Sequence, residues 1–562
     1  MRRVLGVAVV AVALLAASCT SSGPSTGPDS PPSTDAPGER PDVGGTIVVA
    51  LEKEPATLNP WATQGAGPET AVIVGPVLAQ LQIYDPDMVR QTQLLDGYPE
   101  VVTPAPLRVR YRLRSDAIWE DGTPVSASDV QYTLTQVLAP GNDVGSRAGY
   151  NLIRDGALQD ISADGKEFTL EFTQPYGAWR DLFTSPSQPI LKASAMAGQD
   201  FNVALNDFVP FASGPFRFDS WRKGQELVLV RNESWWGDHK SYVDRIVFRF
   251  VEAPSLQVDA MRSGEVQIAS QTLQPQVALD MAPLPNVDVQ VRQGPLREQF
   301  DMNQRDSVVG LPEVREAIAF AIDRSKIVQD VVAPYDSQAQ VLQNAIFVSG
   351  QPGYQSHWNT YEPNATKVAD ALTRAGFAKG PDGSWQKGGN KLKVTIATTQ
   401  GNSERERVAG MIKDQLAAVG IDSAVDAVPS QDLFSRLANC EYQVALYATR
   451  ASPDPGVSAD QFSGNQISCP GPRQNPDGRN STGFDDTEVT QLVDVAGAEV
   501  DAAKRDNLYD QTDTLLVPPI PTLPLYQKAT TLAFYRQIHN VVDNATIQGP
   551  TWNAVDWWIK QR

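Results

Sequence analysis

The chain has 562 residues, 41% of them hydrophobic, and a formal net charge of −19 at pH 7. This length exceeds what one hydrophobic core supports, so several domains or lobes are expected. The excess of acidic residues argues against a nucleic-acid partner and against a basic membrane-surface binder, because both need clustered positive charge.

The N-terminus has the pattern of an export signal. Arg2 and Arg3 precede an apolar run, residues 4–15, which is shorter than the roughly 20 residues that a membrane span needs. The next four residues, Ala-Ala-Ser-Cys ending at Cys19, resemble a bacterial lipobox, in which the cysteine carries the lipid after cleavage. We therefore predict a signal peptide over 1–18 and a lipid on Cys19. An ordinary secretory signal with an incidental cysteine is the alternative.

Residues 19–42 are predicted to be a disordered tether. They are mostly Ser, Thr, Pro, Gly and Asp, and such a composition cannot bury a core. No later run is long enough to cross a bilayer. The globular body is therefore expected outside the cell, anchored to the outer face of the cell membrane as a lipoprotein and touching the membrane through the lipid alone.

The two remaining cysteines, Cys440 and Cys469, are predicted to form a disulfide. Thiols of an exported protein meet an oxidising compartment, where such pairs form and persist. Two free buried thiols are the alternative.

The first part of the body alternates strands and helices. A strand over 44–51 leads into a proline-bounded loop at 54–60. Strands are predicted over 107–113 and 168–172, and Ser126 to Asp129 has the pattern of a capping box that opens a helix.

The stretch 213–270 has the clearest local pattern. Ile246, Phe248 and Phe250 alternate with Arg245, Val247 and Arg249, as in a half-buried strand. The predicted strands here are 215–221, 226–231, 245–251 and 266–269, with a helix between Pro254 and Gly264.

The remainder of the body is also α/β. The predicted elements are a helical segment over 314–327, a helix over 364–376, a strand over 392–397, a helix over 403–419 and a closing strand over 530–535. The proline-rich segment 518–526 is predicted to be the connection that returns the chain to the first lobe.

Several segments closely resemble the solute-binding proteins of ABC importers in the peptide/nickel-binding group, the oligopeptide- and dipeptide-binding proteins. They occur in the order of that group and are EPATLNP at 54–60, LRSDAIWEDGTPVSASDVQYTL at 113–134, LEFTQPY at 170–176, SGPFRFDSW at 213–221, LVLVRNESWWG at 227–237, VDRIVFRFV at 243–251, MRSGEVQIA at 261–269, VREAIAFAIDRSKIV at 314–328 and LAAVGI at 416–421.

The resemblance implies an α/β, bilobed periplasmic-binding-protein fold. Two α/β lobes are joined by a hinge of two chain crossings, an extra lobe is inserted in the first, and the ligand is enclosed when the lobes close. The implied organisation is lobe I over 43–66, 185–298 and 521–562, the extra α/β lobe over 67–184, and lobe II over 299–520.

The segment from Tyr447 to Pro455 is the most informative candidate for ligand contact. In peptide binders of the group a W-x-x-D-x-x-[DE]-P segment enters the cleft here, and its first aspartate pairs with the peptide amine. Asp454 matches the second acidic residue, whereas Ala451 stands where that aspartate is expected. Tyr447 and Arg450 are the neighbours that could substitute in part. Arg450 favours an anionic or polar ligand group, and a solvated side chain is the alternative.

Four more residues are candidates by position alone: Asn59 in the first loop, Gln271 after the last strand of the central stretch, and Trp552 and Asn553 near the C-terminus. Tryptophan commonly lines pockets of this kind, and a core role is the alternative.

No catalytic, cofactor or metal site is predicted. His239, His357 and His539 are far apart and have no neighbouring ligand at zinc spacing. The chain has no P-loop, no G-x-G-x-x-G opening a helix and no G-x-S-x-G nucleophile elbow.

We therefore predict a substrate-binding lipoprotein of an ABC importer rather than an enzyme. It would capture oligopeptides or a related small solute and deliver them to a membrane permease that a separate ATPase powers, and it is expected to be a monomer. One alternative is a glycolipid- or sugar-binding lipoprotein that uses the fold without import, and another is a cell-wall hydrolase, which would need a nucleophile or a carboxylate pair in the cleft.

Overall fold

The computed structural model describes residues 41–271 and 277–560. The predicted signal peptide, Cys19 and nearly all of the predicted tether lie outside these ranges, as does the side chain of Gln271. Within the described ranges no helix is long and apolar enough to cross a membrane.

The described strands and helices are interspersed along the chain. The strands are β1 (Thr46–Leu51), β2 (Gln82–Tyr84), β3 (Arg90–Thr92), β4 (Glu100–Pro104), β5 (Leu107–Arg112), β6 (Ile153–Gln159), β7 (Glu167–Phe172), β8 (Phe216–Arg222), β9 (Glu226–Arg231), β10 (Arg245–Phe250), β11 (Ile268–Gln271), β12 (Val287–Met302), β13 (Ala378–Lys379), β14 (Trp385–Lys387), β15 (Asn390–Lys391), β16 (Lys393–Thr399), β17 (Asp422–Val428), β18 (Val444–Arg450), β19 (Thr522–Tyr535), β20 (Ile538–His539) and β21 (Trp558–Ile559). The α-helices are α1 (Pro68–Val74), α2 (Ala127–Leu138), α3 (Ala193–Met196), α4 (Pro254–Ser263), α5 (Val277–Met281), α6 (Pro312–Ala321), α7 (Arg324–Ile327), α8 (Ala365–Arg374), α9 (Ser403–Ala418), α10 (Ser430–Ala438), α11 (Gly456–Ala459), α12 (Thr487–Ala498) and α13 (Ala502–Leu516).

Local sequence signals account for many of these boundaries. The predicted capping box opens α2, where the Ser126 backbone N–H donates to the Asp129 carboxylate at 3.0 Å. Helix α4 ends at Gly264, whose φ of 79° lies in the left-handed region that favours glycine. The segment predicted as one helix over 314–327 is divided into α6 and α7, because Asp323 caps a new helix by accepting the Lys326 backbone N–H.

A mixed ten-stranded sheet runs through the body in the order β17-β16-β18-β12-β19-β11-β1-β10-β9-β8. Strand β1 is parallel to β10 and β11 at one end, and β16 is parallel to β17 and β18 at the other. Between them β12 and β19 pair antiparallel, from Val287 opposite Tyr535 to Asp301 opposite Thr522. These two long strands are the segments in which the chain passes between the two ends of the sheet.

Two large hydrophobic cores lie on either side of that passage. We call the first core the buried cluster formed by residues 47–268 and 532–557, and the second core the cluster formed by residues 300–529. The predicted extra lobe has its own antiparallel sheet, β4-β5-β7-β6, yet its apolar residues belong to the first core. The predicted boundary at 298/299 falls inside β12, since one strand serves both cores.

The proline-rich segment 518–526, predicted to return the chain to the first lobe, leads into β19. The strand begins at Thr522 and includes Pro524, so the chain runs toward the first core as part of the sheet. Pro524 lies opposite Gln299, where the pairing register of β12 shifts. An irregularity of this kind tolerates a residue that has no backbone N–H to donate.

Candidate functional site

Two cavities lie between the cores. The first cavity, of about 160 Å³, is lined by Ala50, Leu51, Glu52, Pro68, Glu69, Val72, Ser270, Arg450, Thr530, Asp543, Asn544, Ala545, Thr546, Ile547, Gly549 and Pro550. The second cavity, of about 490 Å³, takes lining residues from 84–188 and 547 on one side and from 452–509 on the other. Ile547 lines both cavities, and each draws on residues from both sides of the β12–β19 passage, so together they form a cleft.

The loop after β18 enters this cleft between the two cavities. Arg450, the last residue of the strand, lines the first cavity, and residues 452–454 line the second. Two hydrogen bonds hold the start of the loop: the Ala451 N–H donates to the Pro295 carbonyl at 2.7 Å, and the Gln351 side-chain amide donates to the Ser452 carbonyl at 2.9 Å. A loop held in this way loses little conformational entropy when a ligand binds.

Arg450 offers an uncompensated positive charge to the first cavity. Its guanidinium reaches the Ala545 carbonyl at 3.5 Å, and no carboxylate of the described residues lies within 4.0 Å of it. The side chain remains accessible from the cavity, while protein atoms around it lower its pKa by desolvation. An arginine stays charged under these conditions.

Asp454 reaches the cleft, but its charge is already compensated. The carboxylate pairs with Arg505, and both side chains are buried. It also accepts the Gly456 N–H at 2.8 Å, and Arg505 in turn donates to the Gly177 carbonyl at 2.6 Å across the second cavity. Asp454 therefore orders the loop and links the two sides of the cleft.

The remaining described candidates do not line either of these two cavities. Tyr447 is buried between the sheet and α10. Its hydroxyl donates to Asp301 at 2.6 Å, and burial raises its pKa. The Asn59 amide donates to the Phe201 carbonyl at 2.9 Å. Trp552 donates to the Val542 carbonyl at 3.0 Å, and Asn553 donates to the Asn540 carbonyl at 2.8 Å. Their proposed ligand contacts stay predictions.

Three carboxylates of the first cavity were missed from the sequence: Glu52, Glu69 and Asp543. Glu52 directly follows the carboxyl end of β1, which is parallel to both its neighbours. Ligands of α/β sheets bind at the carboxyl ends of such strands, so the end of the first predicted strand was the available signal. Glu69 and Asp543 had no comparable signal, because only the tertiary fold brings them there.

The predicted disulfide is formed: Cys440 and Cys469 are bonded, with their Cα atoms 5.2 Å apart. The bond closes the segment that contains β18 and the cleft loop. Within the described ranges no cluster of three or more His, Cys, Asp or Glu side chains is arranged to hold a metal ion.

Comparison with known proteins gives consistent matches. The family model described as "Bacterial extracellular solute-binding proteins, family 5 Middle" matches residues 95–468. The chain is 27% identical over 468 residues to the probable monoacyl phosphatidylinositol tetramannoside-binding protein LpqW of Mycobacterium tuberculosis (strain CDC 1551 / Oshkosh), covering 76% of this chain and 72% of LpqW. It is 24% identical over 517 residues to the oligopeptide-binding protein OppA of Mycobacterium bovis, covering 88% and 82% respectively.

A solved structure supports the fold. The periplasmic EDTA-binding protein EppA superposes with a TM-score of 0.81 at 22% identity, over 93% of this chain and 98% of EppA. The mixed α/β architecture therefore matches that of periplasmic binding proteins.

Proposed function

The chain belongs to the family 5 bacterial extracellular solute-binding proteins, and we propose that it captures oligopeptides in the cleft between its two cores and delivers them to an ABC permease. Family members serve ABC importers by binding peptides or related solutes. The observation that carries the proposal is the position of the cleft loop, which is held at Ala451 and Ser452 by hydrogen bonds and faces cavities lined from both sides. OppA, a relative that is named for binding oligopeptides, supports the choice of ligand.

Capture by a cleft of this kind needs contacts to both sides at once. A ligand shifts the protein toward the closed state only by the free energy with which it prefers that state. Residues from both sides line each cavity, so an enclosed ligand would contact both and favour hinge closure about β12 and β19.

Isothermal titration calorimetry with a mixed pool of short peptides tests the proposal. Binding heat that saturates at one site per chain is the expected result. A folded protein that shows no heat with any peptide pool would exclude peptide capture.

We also propose that the protein is a lipoprotein anchored through Cys19. The N-terminal residues 1–19 carry the proposal, as a signal peptide that ends in a lipobox-like segment. Mass spectrometry of the protein extracted from membranes should find a diacylglycerol adduct on an N-terminal Cys19. An unmodified chain in the medium would refute the anchor.

A glycolipid-binding function without import is the second candidate. Two observations favour it: Ala451 replaces the aspartate that holds a peptide amine in the resembling group, and LpqW is named for binding a mannosylated phosphatidylinositol. Mass spectrometry of the molecules that co-purify with the protein separates the two candidates, since one predicts peptides and the other a glycolipid.

Catalysis is not proposed. The first cavity does hold two neighbouring carboxylates, Glu52 and Glu69, which a cell-wall hydrolase would require. The relatives, however, are substrate-binding transport proteins rather than enzymes. Ligand binding therefore explains these carboxylates better than catalysis does.

A further inference from the structure

We propose that the first cavity binds a zwitterion in a defined orientation, with its ammonium group held by Glu52 and Glu69 and its carboxylate held by Arg450. The inference rests on the proposed function in one respect: it takes this cleft to be where the solute is captured. Beyond the proposed function, it specifies that the ligand carries both charges and which side of the cleft binds each of its ends.

Glu52 and Glu69 supply the negative end of the cavity. They are half-buried, they line the same cavity, and no Lys, Arg or His nitrogen of the described residues lies within 4.0 Å of either carboxylate. Burial, followed by the charge of Glu69, raises the pKa of Glu52, and Lys53 opposes this shift. Two like charges that are partly desolvated are unfavourable until a cation joins them. A ligand ammonium group would be such a cation.

Arg450 supplies the positive end from the other side. It belongs to β18, which pairs with the second-core half of β12, whereas Glu52 and Glu69 belong to the first-core side. The guanidinium has five N–H donors in a planar fork that matches a carboxylate. Its only hydrogen bond to the described residues is the long one to Ala545, so the fork is open to a ligand.

Asp543, Asp454 and Ala451 also lie at or near the cavity, but none of them offers a free charge to a ligand. Asp543 is buried and accepts the Thr530 hydroxyl, and burial raises its pKa. Asp454 is paired with Arg505, and Ala451 has no charge to offer. Arg450, Glu52 and Glu69 are therefore the charged side chains of this cavity that form no ion pair with the described residues and, unlike Asp543, are not fully buried.

The arrangement reverses the ligand orientation that the family resemblance implies. In that group the loop after this strand contributes a carboxylate to the ligand amine. Here the last residue of the strand, Arg450, contributes a guanidinium, and the carboxylates come from the opposite side. A peptide bound here would place its amino group toward β1 and α1, and its carboxylate toward β18.

Capped peptides test this orientation. Three pools of di- and tripeptides are compared by equilibrium dialysis and mass spectrometry: unmodified, N-acetylated and C-amidated. Removing either charge should weaken binding at least tenfold, which corresponds to about 1.4 kcal/mol. Pools that bind equally well would overturn the inference while leaving peptide capture intact.

Substitutions in the cavity test which side chains bind the amino end and which bind the carboxyl end of the ligand. Glu52→Gln with Glu69→Gln should weaken the unmodified pool at least tenfold and abolish the preference over the N-acetylated pool. Arg450→Gln should abolish the preference over the C-amidated pool. Glu441→Gln and Arg407→Gln, which change exposed residues outside both cavities, are the matched controls. Thermal unfolding checks that every variant is folded, and a folded variant that retains its preference would contradict the assigned contact.

A second set of probes, a mixture of ω-amino acids, separates the two proposals. If the peptide pools are silent and the ω-amino acids bind through Glu52, Glu69 and Arg450, peptide capture fails and the zwitterion site stands. If no zwitterion in either set binds, both are overturned.

Discussion

At the scale of single residues, a buried charge cluster lies within the second core. The Lys528 ammonium lies 2.7 Å from the Glu404 carboxylate, and their side chains are 2% and 3% exposed. The hydroxyls of Tyr335 and Tyr526 also donate to Glu404, at 3.1 and 2.9 Å. A buried ion that is satisfied in this way tolerates the loss of its partner poorly.

Lys528→Met should therefore lower the free energy of unfolding by about 3 to 5 kcal/mol, because it leaves the Glu404 charge buried without its cation. Urea denaturation measures the change. Lys326→Met is the control, since that lysine forms an exposed pair with Asp330 and should change stability by less than about 1 kcal/mol. Equal effects of the two substitutions would contradict the argument.

Asp513 predicts a pH dependence of stability. One of its oxygens accepts the N–H groups of Ala345 and Trp358, at 2.7 and 3.2 Å, while the other is buried with no hydrogen bond to the described residues. Burial raises its pKa to about 7, and the charge of Asp510 adds to this effect. Between about pH 4 and pH 7 the folded state therefore binds one proton more than the unfolded chain.

The contribution of Asp513 to the free energy of unfolding should thus fall as the pH rises, by up to about 1.4 kcal/mol per pH unit. It is largest below about pH 4 and lost above about pH 7. Asp513→Asn should flatten this part of the profile. Urea denaturation of both proteins at pH 5, 6, 7 and 8 measures it, and parallel profiles would show that Asp513 does not titrate there.

At the scale of elements, the disulfide holds the segment from α10 to the cleft loop. Cys440 and Cys469 are 29 residues apart in sequence, and β18 lies between them. Cross-linking a loop of this size reduces the entropy of the unfolded chain. The double substitution Cys440→Ser, Cys469→Ser should lower the free energy of unfolding by about 3 kcal/mol.

Urea denaturation with and without reductant measures the effect. Wild type should approach the double variant when it is reduced, and the variant itself should not respond to reductant. Identical midpoints for oxidised wild type and variant would contradict a stabilising bond.

At the scale of the whole molecule, a tight contact closes one side of the cleft. The turn at Gly177–Asp181 on the first-core side meets the junction of α12 and α13 on the second-core side. Arg180 donates to the Val500 carbonyl at 2.8 Å, and a Cβ added to Gly177 would lie 2.6 Å from the Glu499 carbonyl oxygen. Only glycine allows this approach of the two sides.

Gly177→Ala should therefore disfavour the closed state. We expect a larger radius of gyration by small-angle X-ray scattering in the presence of a peptide pool, and roughly tenfold weaker binding, about 1.4 kcal/mol. Gly410→Ala is the control, because an added Cβ there meets nothing within 4 Å. Unchanged scattering and affinity in the Gly177 variant would show that the contact does not limit closure.

The sequence by itself determined the elements whose signals are local. Strand β10 follows the period of two, the capping box at Ser126 opens α2, and Gly264 ends α4, each within about a residue of the expected position. The family resemblance and the disulfide were also predicted from the sequence, because ordered motifs and a pair of cysteines downstream of an export-like N-terminus are properties of the chain alone.

Only the tertiary structure decided which polar residues face the cleft. Side chains of a strand alternate between its two faces, and the ladder places Tyr447 under the sheet against Asp301 while Arg450 ends the strand at the first cavity. Glu52 and Glu69 are almost 400 residues from Arg450 in sequence, and they share a cavity with it because β1 and β18 are joined through β11, β19 and β12 in one sheet. Such a meeting depends on long-range strand pairing, which local sequence patterns do not encode.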